Sequence, residues 1–212
     1  MRIGLVPGSF KPYHAGHDGL VAIASRENDT VKLFVSLGDR IKPGEFPLYG
    51  KNMREIWEKY LENAVESAYP NVEVIYAVKA PVSHVYDELK AGDAGEDEYT
   101  IYSDEEDILK YTDASLERTA PNLFMKDLIA LRGVKRAETV DISGTYMREL
   151  LAAKKVKEFS RLLPAHSRKY AQEILDILNR QMEPVASAGR AKRQKRPVGE
   201  SLLRSYVREI LR

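Results

Sequence analysis

Residues 3–17 of the chain read IGLVPGSFKPYHAGH and divide into a strand, a loop and the start of a helix. Residues 3–6 form a short apolar run that ends at Pro7-Gly8, a pattern typical of a buried parallel strand. From His17 to Glu27 apolar side chains recur at helical spacing, which predicts an amphipathic helix. The loop therefore lies at a strand-to-helix junction. Open α/β sheets bind ligands beyond the carboxyl ends of their strands, where such junctions lie.

Strands and helices continue to alternate along the chain. Apolar runs predict further strands at residues 31–36, 72–78, 99–102 and 138–141. Helical periodicity predicts helices at residues 51–68, 82–90 and 122–131, and again from residue 143. This alternation is typical of a parallel sheet with right-handed crossovers and helices on both faces. We expect an α/β fold, a Rossmann-like doubly wound parallel sheet of about five strands, with C-terminal helices and a flexible basic tail.

Composition divides the chain into four predicted parts. They are an α/β domain at 1–164, a helix packed on it at 165–182, a basic flexible linker at 183–200 and an amphipathic tail helix at 201–212. Two interpretations of the tail stay open: it folds back onto its own domain, or residues 201–212 mediate self-association or bind a protein partner. In the second case the basic residues at 190–196 are candidates for a weak polyanion contact.

The overall composition excludes several classes of protein. The 212 residues include no cysteine, which excludes a disulfide scaffold, a thiolate nucleophile and a cysteine-containing zinc site. No run approaches the ~18 apolar residues that a transmembrane helix needs, so we expect no membrane span and a cytoplasmic location. The net charge of +1 provides no general attraction for nucleic acid.

The loop before the first predicted helix has the features of a phosphate site. A helix N-terminus offers free N–H groups and the positive end of the helix dipole. We expect Gly8 and Gly16 to let the backbone approach a ligand, and His14 and His17 to donate hydrogen bonds to one anion. Zinc binding by this histidine pair is the alternative, but a zinc site takes three or four protein ligands, so we predict no metal ligand here.

Two stretches of the chain resemble motifs of one enzyme superfamily. Residues 8–17, GSFKPYHAGH, are similar to the GxFxPxHxGH signature of the HIGH-motif nucleotidyltransferases, the cytidylyltransferase-like superfamily. Residues 142–148, ISGTYMR, are similar to its ISxTxxR motif, with Ser143 as an N-cap candidate and Arg148 placed to fork onto phosphate oxygens. The motifs occur in the order typical of the superfamily, and the resemblance covers about residues 1–164.

The resemblance implies attack by a phosphomonoester oxygen on the α-phosphate of a nucleoside triphosphate, with release of pyrophosphate. It implies catalytic roles for His14 at the α-phosphate, for His17 and Arg148 at the β- and γ-phosphates, and for Lys11 beside them. The nucleotide-binding residues that it implies are Gly8, Ser9, Phe10, His14, Gly16, His17, Ser143, Thr145 and Arg148. It implies Mg²⁺ as the cofactor that bridges the phosphates. Its candidates for holding the acceptor phosphate are Arg40, Lys42, Lys51 and Arg54.

The Ile-Ser-Gly-Thr form of the second motif is closer to the adenylyltransferases that make dinucleotide cofactors. We therefore expect AMP transfer from ATP to an acceptor such as nicotinamide or nicotinate mononucleotide, or phosphopantetheine. Two alternatives stay open: a cytidylyltransferase that uses CTP and a small alcohol or sugar phosphate, and a non-catalytic nucleotide-binding module that docks to an assembly through its C-terminal tail. The acidic segment 93–107 is expected to rim the site rather than line it, because carboxylates repel phosphates.

Overall fold

Five parallel strands form the sheet at the centre of the molecule. They are β1 (Arg2–Gly8), β2 (Thr30–Ser36), β3 (Val72–Ala77), β4 (Glu98–Asp104) and β5 (Ile129–Val134). The computed structural model describes residues 1–78 and 80–180, and the strands pair in the order β3-β2-β1-β4-β5. The predicted linker at 183–200 and tail helix at 201–212, with their proposed contacts, lie outside the described residues.

Helices connect the strands and cover both faces of the sheet. The α-helices are α1 (Ala15–Glu27), α2 (Gly50–Ile56), α3 (Glu62–Ala68), α4 (Pro81–Gly92), α5 (Asp113–Thr119), α6 (Pro121–Met125), α7 (Gly144–Ala152), α8 (Val156–Leu162) and α9 (Ala171–Leu178). A π-helical turn at Trp57–Leu61 joins α2 to α3, so the predicted helix at 51–68 is confirmed as one continuous helical segment. Short 3₁₀ turns lie at Ile108–Lys110, Arg136–Glu138 and Arg168–Tyr170.

Alternating side chains on the strands build a separate core on each face. On β2, Val31, Leu33 and Val35 pack with α1, α2, α3 and the C-terminal helices α7 to α9. Phe34 points to the opposite face, where it packs with α4, α5 and α6. This period of two is the geometry of a pleated strand that is buried on both sides. The α/β Rossmann-like fold class predicted from the sequence is confirmed.

The strand order places a topological switch point between β1 and β4. From β1 the chain passes through α1 to β2 on one side, and α4 later returns it to β4 on the other side of β1. Ligands of such sheets bind in the crevice outside the carboxyl ends of the strands at this point. The loop that follows Gly8 at the end of β1 therefore starts at the position where a ligand is expected.

The fifth strand differs from the prediction. The predicted helix at 122–131 ends at Met125, and Ile129–Val134 is the strand β5; residues 138–141 form no strand. Asp127 adopts a left-handed backbone with a φ of 56°, and the Leu128 N–H donates to the Leu123 carbonyl at 2.9 Å. This is a Schellman helix end, which usually carries glycine. Because Asp127 occupies the glycine position, the sequence lacks the usual stop signal.

The C-terminal helices pack on the domain that carries both motifs. The Asn52 side-chain amide donates to the Ile177 carbonyl at 3.0 Å, which ties α9 to α2. Arg180 extends this contact through an ion pair with Glu55 at 2.8 Å. Within the described ranges, no helix is long and apolar enough to cross a membrane.

Gly50 provides a test of how the end of β2 is packed. Its backbone N–H donates to Asp39 at 2.7 Å, and a Cβ at this position would collide with the Leu37 carbonyl. Gly50→Ala should therefore lower the free energy of unfolding in urea by about 1–3 kcal/mol, the usual cost of overpacking. Gly38→Ala is the control, because its Cβ would lie no closer than 3.7 Å to Ser36. Equal effects of the two substitutions would contradict this account.

Candidate active site

The side chain of His14 closes the N-terminus of α1. Its Nδ1 accepts hydrogen bonds from the backbone N–H groups of Gly16, at 3.2 Å, and His17, at 3.4 Å. Because Nδ1 accepts, the neutral ring carries its proton on Nε2. That Nε2 is buried and has no hydrogen-bond partner within residues 1–78 and 80–180. The cap therefore leaves one N–H donor for a ligand.

Both imidazoles of the first motif are neutral at pH 7. Burial, and to a smaller extent the positive charge of Arg148, lowers the pKa of His14 to about 4. Burial and the neighbouring His14 hold the pKa of His17 well below its usual range. The two rings stack with their centroids 3.7 Å apart. The pair can therefore donate hydrogen bonds to an anion, while positive charge has to come from other residues.

The glycines of the first motif make room for protein atoms. A Cβ on Gly8 would collide with the ring of Phe10. Phe10 is buried, and its backbone is left-handed with a φ of 47°. A Cβ on Gly16 would lie 2.8 Å from the Val140 carbonyl oxygen and 3.1 Å from the His14 ring. Real Cβ atoms do not approach backbone oxygens this closely, so both positions require glycine for packing. The expected role in approach to a ligand remains a prediction.

Arg148 joins the second motif to the first. Its Nη1 donates to the Lys11 carbonyl at 3.0 Å, and its Nη2 donates to Thr145 Oγ1 at 2.9 Å. The predicted N-cap is confirmed, since Ser143 Oγ accepts from the Tyr146 N–H at 3.1 Å. Arg148 is only 4% exposed. The buried guanidinium thus connects α7 to the loop that carries the histidines.

A carboxylate that sequence reasoning missed lies against Arg148. Glu45 Oε2 is 2.8 Å from Arg148 Nε, although that N–H is not aimed at it. Arg40 donates to both oxygens of the same carboxylate, from Nε at 3.0 Å and from Nη2 at 3.2 Å. These contacts lower the pKa of Glu45, chiefly through the Arg40 hydrogen bond. Nothing in the local sequence marks Glu45, because its partner Arg148 is far away along the chain.

Lys11 is held by the end of β2. Its ammonium donates to Ser36 Oγ at 2.9 Å and to the Gly38 carbonyl. The residue is 5% exposed, and burial lowers the pKa of its ammonium group. Lys11 therefore fixes the first motif against β2 and also brings a buried amine to the site.

A cleft of about 400 Å³ brings the predicted nucleotide-binding residues together. All of them line it: Gly8, Ser9, Phe10, His14, Gly16, His17, Ser143, Thr145 and Arg148. Lys11 lines it as well. Of the four acceptor candidates, Arg40 lines the cleft, whereas Lys42, Lys51 and Arg54 do not. Arg54 instead forms an exposed ion pair with Glu58 at 3.4 Å.

The cleft also contains residues that sequence reasoning placed elsewhere or missed. Asp104 and Asp107 line its wall, so the expectation that the acidic segment would only rim the site is wrong. Asp104 is the last residue of β4, and its Oδ1 accepts hydrogen bonds from the backbone N–H groups of Glu106 and Asp107, which turns the chain at the sheet edge. Arg136, which follows β5, adds a positive charge that was missed because β5 was predicted at other residues.

Tyr102 lies on β4 beside the cleft residues Ser103 and Asp104, but its side chain does not line the cleft. The ring is buried, and its hydroxyl donates to Glu27 at 2.8 Å and accepts from Asn28 at 2.8 Å. Tyr102 therefore ties β4 to the end of α1.

Comparison with solved structures identifies proteins that this chain resembles in structure. A bifunctional NMN adenylyltransferase/ADP ribose pyrophosphatase from Francisella tularensis matches with a TM-score of 0.55 and 13% identity, over 84% of this chain. The match spans 51% of that protein, about half its length. Thermotoga maritima TmcAL, a structure bound with alpha-thio ATP, matches with a TM-score of 0.46 and 16% identity, over 82% of this chain and 56% of that one. Neither a family model nor a curated protein matches the sequence.

The first comparison confirms the sequence resemblance at the level of the fold. The chain shares the fold of about half of this bifunctional protein, and it carries both motifs at the carboxyl edge of the sheet.

The buried state of His14 predicts an unusual titration. The pKa of about 4 lies below the value near 6.5 of an unfolded histidine, so between these pH values only the unfolded chain binds the proton. The contribution of neutral His14 to the free energy of unfolding is therefore fully present above pH 6.5 and falls as the pH drops toward 4. Wild type should lose about 2 kcal/mol more unfolding free energy than His14→Gln between pH 7 and pH 5, measured in urea. An NMR titration midpoint of His14 near 6.5 would contradict the prediction.

Proposed function

We propose that the chain is a nucleotidyltransferase that transfers AMP from ATP to a phosphomonoester acceptor and releases pyrophosphate. The observation that carries this proposal is the convergence of both motifs on one cleft at the switch point, joined by the Arg148 contact to the Lys11 carbonyl. The fold supports it, since about half of a protein named as a bifunctional NMN adenylyltransferase/ADP ribose pyrophosphatase shares this fold.

In this reaction one bond forms and one breaks at the α-phosphorus. An oxygen of the acceptor phosphate attacks, and the bond to the oxygen that bridges the α- and β-phosphates breaks, so that pyrophosphate leaves with the electron pair. The protein needs no covalent nucleophile, which suits a chain without cysteine. Catalysis then depends on positioning the phosphates and on stabilising the charge of their oxygens.

The cleft divides these tasks between neutral donors and charged groups. His14 Nε2–H is the buried donor that would reach an α-phosphate oxygen, with His17 stacked beside it. Arg148 and Lys11 supply positive charge from buried positions, where a charge acts more strongly than in water. The free N–H groups at the start of α7 supply further donors near the β- and γ-phosphates.

The donor set fits a Mg²⁺ ion that is carried by the nucleotide. The described ranges contain no cluster of three or more histidine, aspartate or glutamate side chains that could hold a metal ion. Asp104 offers one carboxylate at the cleft wall, and Mg²⁺ in nucleotide sites takes one or two carboxylates together with substrate phosphates. Asp104 would therefore hold the ion with the triphosphate, and the ion would neutralise phosphate charge.

ATP is the proposed nucleotide, and a mononucleotide such as nicotinamide or nicotinate mononucleotide, or phosphopantetheine, is the proposed acceptor. The Ile-Ser-Gly-Thr form of the second motif favours the adenylyltransferases, as does the name of the structural neighbour. A preference for CTP over ATP would instead indicate that the chain is a cytidylyltransferase. The docking module predicted for the tail depends on residues outside the described part of the chain.

Pyrophosphate release tests the proposed reaction. The full chain should release pyrophosphate from ATP and Mg²⁺ only when a suitable phosphomonoester is present, within a panel that includes both mononucleotides, phosphopantetheine and small alcohol phosphates. His17→Ala should lower turnover by about 10²–10³-fold, the usual effect of losing one charge-stabilising donor.

His84→Gln is the matched control for the loss of a histidine. His84 stacks on Phe34, with ring centroids 5.8 Å apart, and does not line the cleft. Turnover of the His84→Gln protein should therefore stay near that of wild type. Full turnover of a folded His17→Ala protein would exclude the role of His17, and no release with any acceptor would favour a non-catalytic module.

Thermal unfolding tests the choice of nucleotide. At equal concentration ATP should raise the melting temperature more than CTP, because the ligand with the higher affinity stabilises the folded state more. The measurement is a melting curve of the full chain with each nucleotide and Mg²⁺. A larger shift with CTP would support the cytidylyltransferase alternative.

A further inference from the structure

Two arginines that line the cleft share one of the protein's own carboxylates. Arg40 and Arg148 converge on Glu45, with nitrogen-to-oxygen distances of 2.8 to 3.2 Å. Two guanidinium groups that share one anion form an arrangement that also binds phosphate oxygens through charge-assisted hydrogen bonds. Both arginines line the cleft, whereas Glu45 does not.

The Arg148 guanidinium contacts two neutral oxygens and one charged carboxylate. Its Nη1 and Nη2 are bound to the Lys11 carbonyl and the Thr145 hydroxyl, which belong to the two motifs and hold the guanidinium in place. Glu45 contacts the remaining nitrogen, Nε, without a directed hydrogen bond. The carboxylate neutralises a guanidinium that would otherwise be buried without a counter-ion, which is costly. An incoming phosphate could take over that task without breaking the bonds to the motifs.

Glu45 lies between the exposed tip of a loop and Phe46, which packs on the core. The loop is closed at its base by backbone hydrogen bonds between Arg40 and Leu48, at 2.7 and 2.9 Å. Leu48 is buried, whereas residues 41–44 at the tip are exposed. A Cβ added to Gly44, which has a φ of 79°, would meet no atom within 4 Å, so the tip is not packed. Withdrawal of the Glu45 carboxylate therefore costs no core contact at the tip.

We propose that the Glu45 carboxylate competes with pyrophosphate for Arg40 and Arg148, which form a phosphate subsite, and that it contacts both guanidinium groups until the nucleotide displaces it. The proposal rests on the proposed function, because it assigns the subsite to the β- and γ-phosphates of the nucleotide. It moves Arg40 from the acceptor phosphate to the pyrophosphate end. A carboxylate and a phosphate cannot share the subsite, since like charges at this distance repel strongly.

This competition has a consequence for turnover. Two arginines would hold pyrophosphate tightly after the transfer step, and release of a tightly bound product limits the rate of many enzymes. Return of Glu45 to the subsite lowers the affinity for the product and favours its release. Glu45 therefore lowers the affinity for the nucleotide and speeds the release of pyrophosphate.

The test is calorimetric binding of inorganic pyrophosphate with Mg²⁺ to the full chain. Glu45→Gln and Glu45→Ala should each bind pyrophosphate about tenfold more tightly than wild type, because the competing charge is gone. Glu45→Asp keeps the negative charge, so its affinity for pyrophosphate should rise less than that of the other two variants. Glu158→Gln is the control: it removes a half-exposed carboxylate on α8 that pairs with Lys155 at 3.6 Å, and its affinity should be unchanged.

The outcomes separate the inference from the function on which it rests. Unchanged or weaker pyrophosphate binding by folded Glu45→Gln and Glu45→Ala proteins would overturn the competitor role, and Glu45 would then only position the arginines. In that case wild type would still bind ATP and pyrophosphate. Failure of wild type to bind either of them would instead overturn the proposed function. In steady state, Glu45→Gln should also be inhibited by about tenfold lower pyrophosphate concentrations than wild type.

Discussion

The hydrogen bond from Arg148 to the Lys11 carbonyl connects the two halves of the site, and the arrangement of the cleft depends on it. The first motif follows β1 and the second opens α7, so only a tertiary contact can fix their relative position. Gly144 lies close to this contact, since a Cβ there would be 3.1 Å from Arg148 Nη1 and 3.5 Å from the Lys11 oxygen. A buried cation thus organises the loop that carries the first motif.

The fold class was predictable because each strand carries its own local pattern. Apolar runs such as 31–36 appear as strands, and helical spacing at 51–68 appears as a helix, with the same burial that the spacing predicts. The fifth strand was not predictable in this way, because Asp127 ends a helix in a conformation that the sequence signals only through glycine. The motif residues of the site were predicted from two local strings. Glu45 and Arg136 were not, because their place depends on where distant loops meet.

The electrostatics of the cleft differ from a simple picture of a positive phosphate pocket. The two histidines are neutral, and the pKa values that make them so result from burial. The arginines carry the charge, but one carboxylate already balances part of it, and Asp104 and Asp107 add negative charge at the wall. The free site is therefore close to neutral, which lets buried cations exist without a ligand.

The packing of Phe10 over Gly8 bears on how the first motif can be used to infer activity. The ring occupies the space of a Gly8 side chain, and Gly16 is confined by the Val140 carbonyl, so both glycines are required for the loop to fold. These requirements do not depend on catalysis. A related chain without the proposed reaction would still need both glycines to remain folded. Retention of the glycine pattern in such a chain would therefore report the architecture of the loop and not its chemistry.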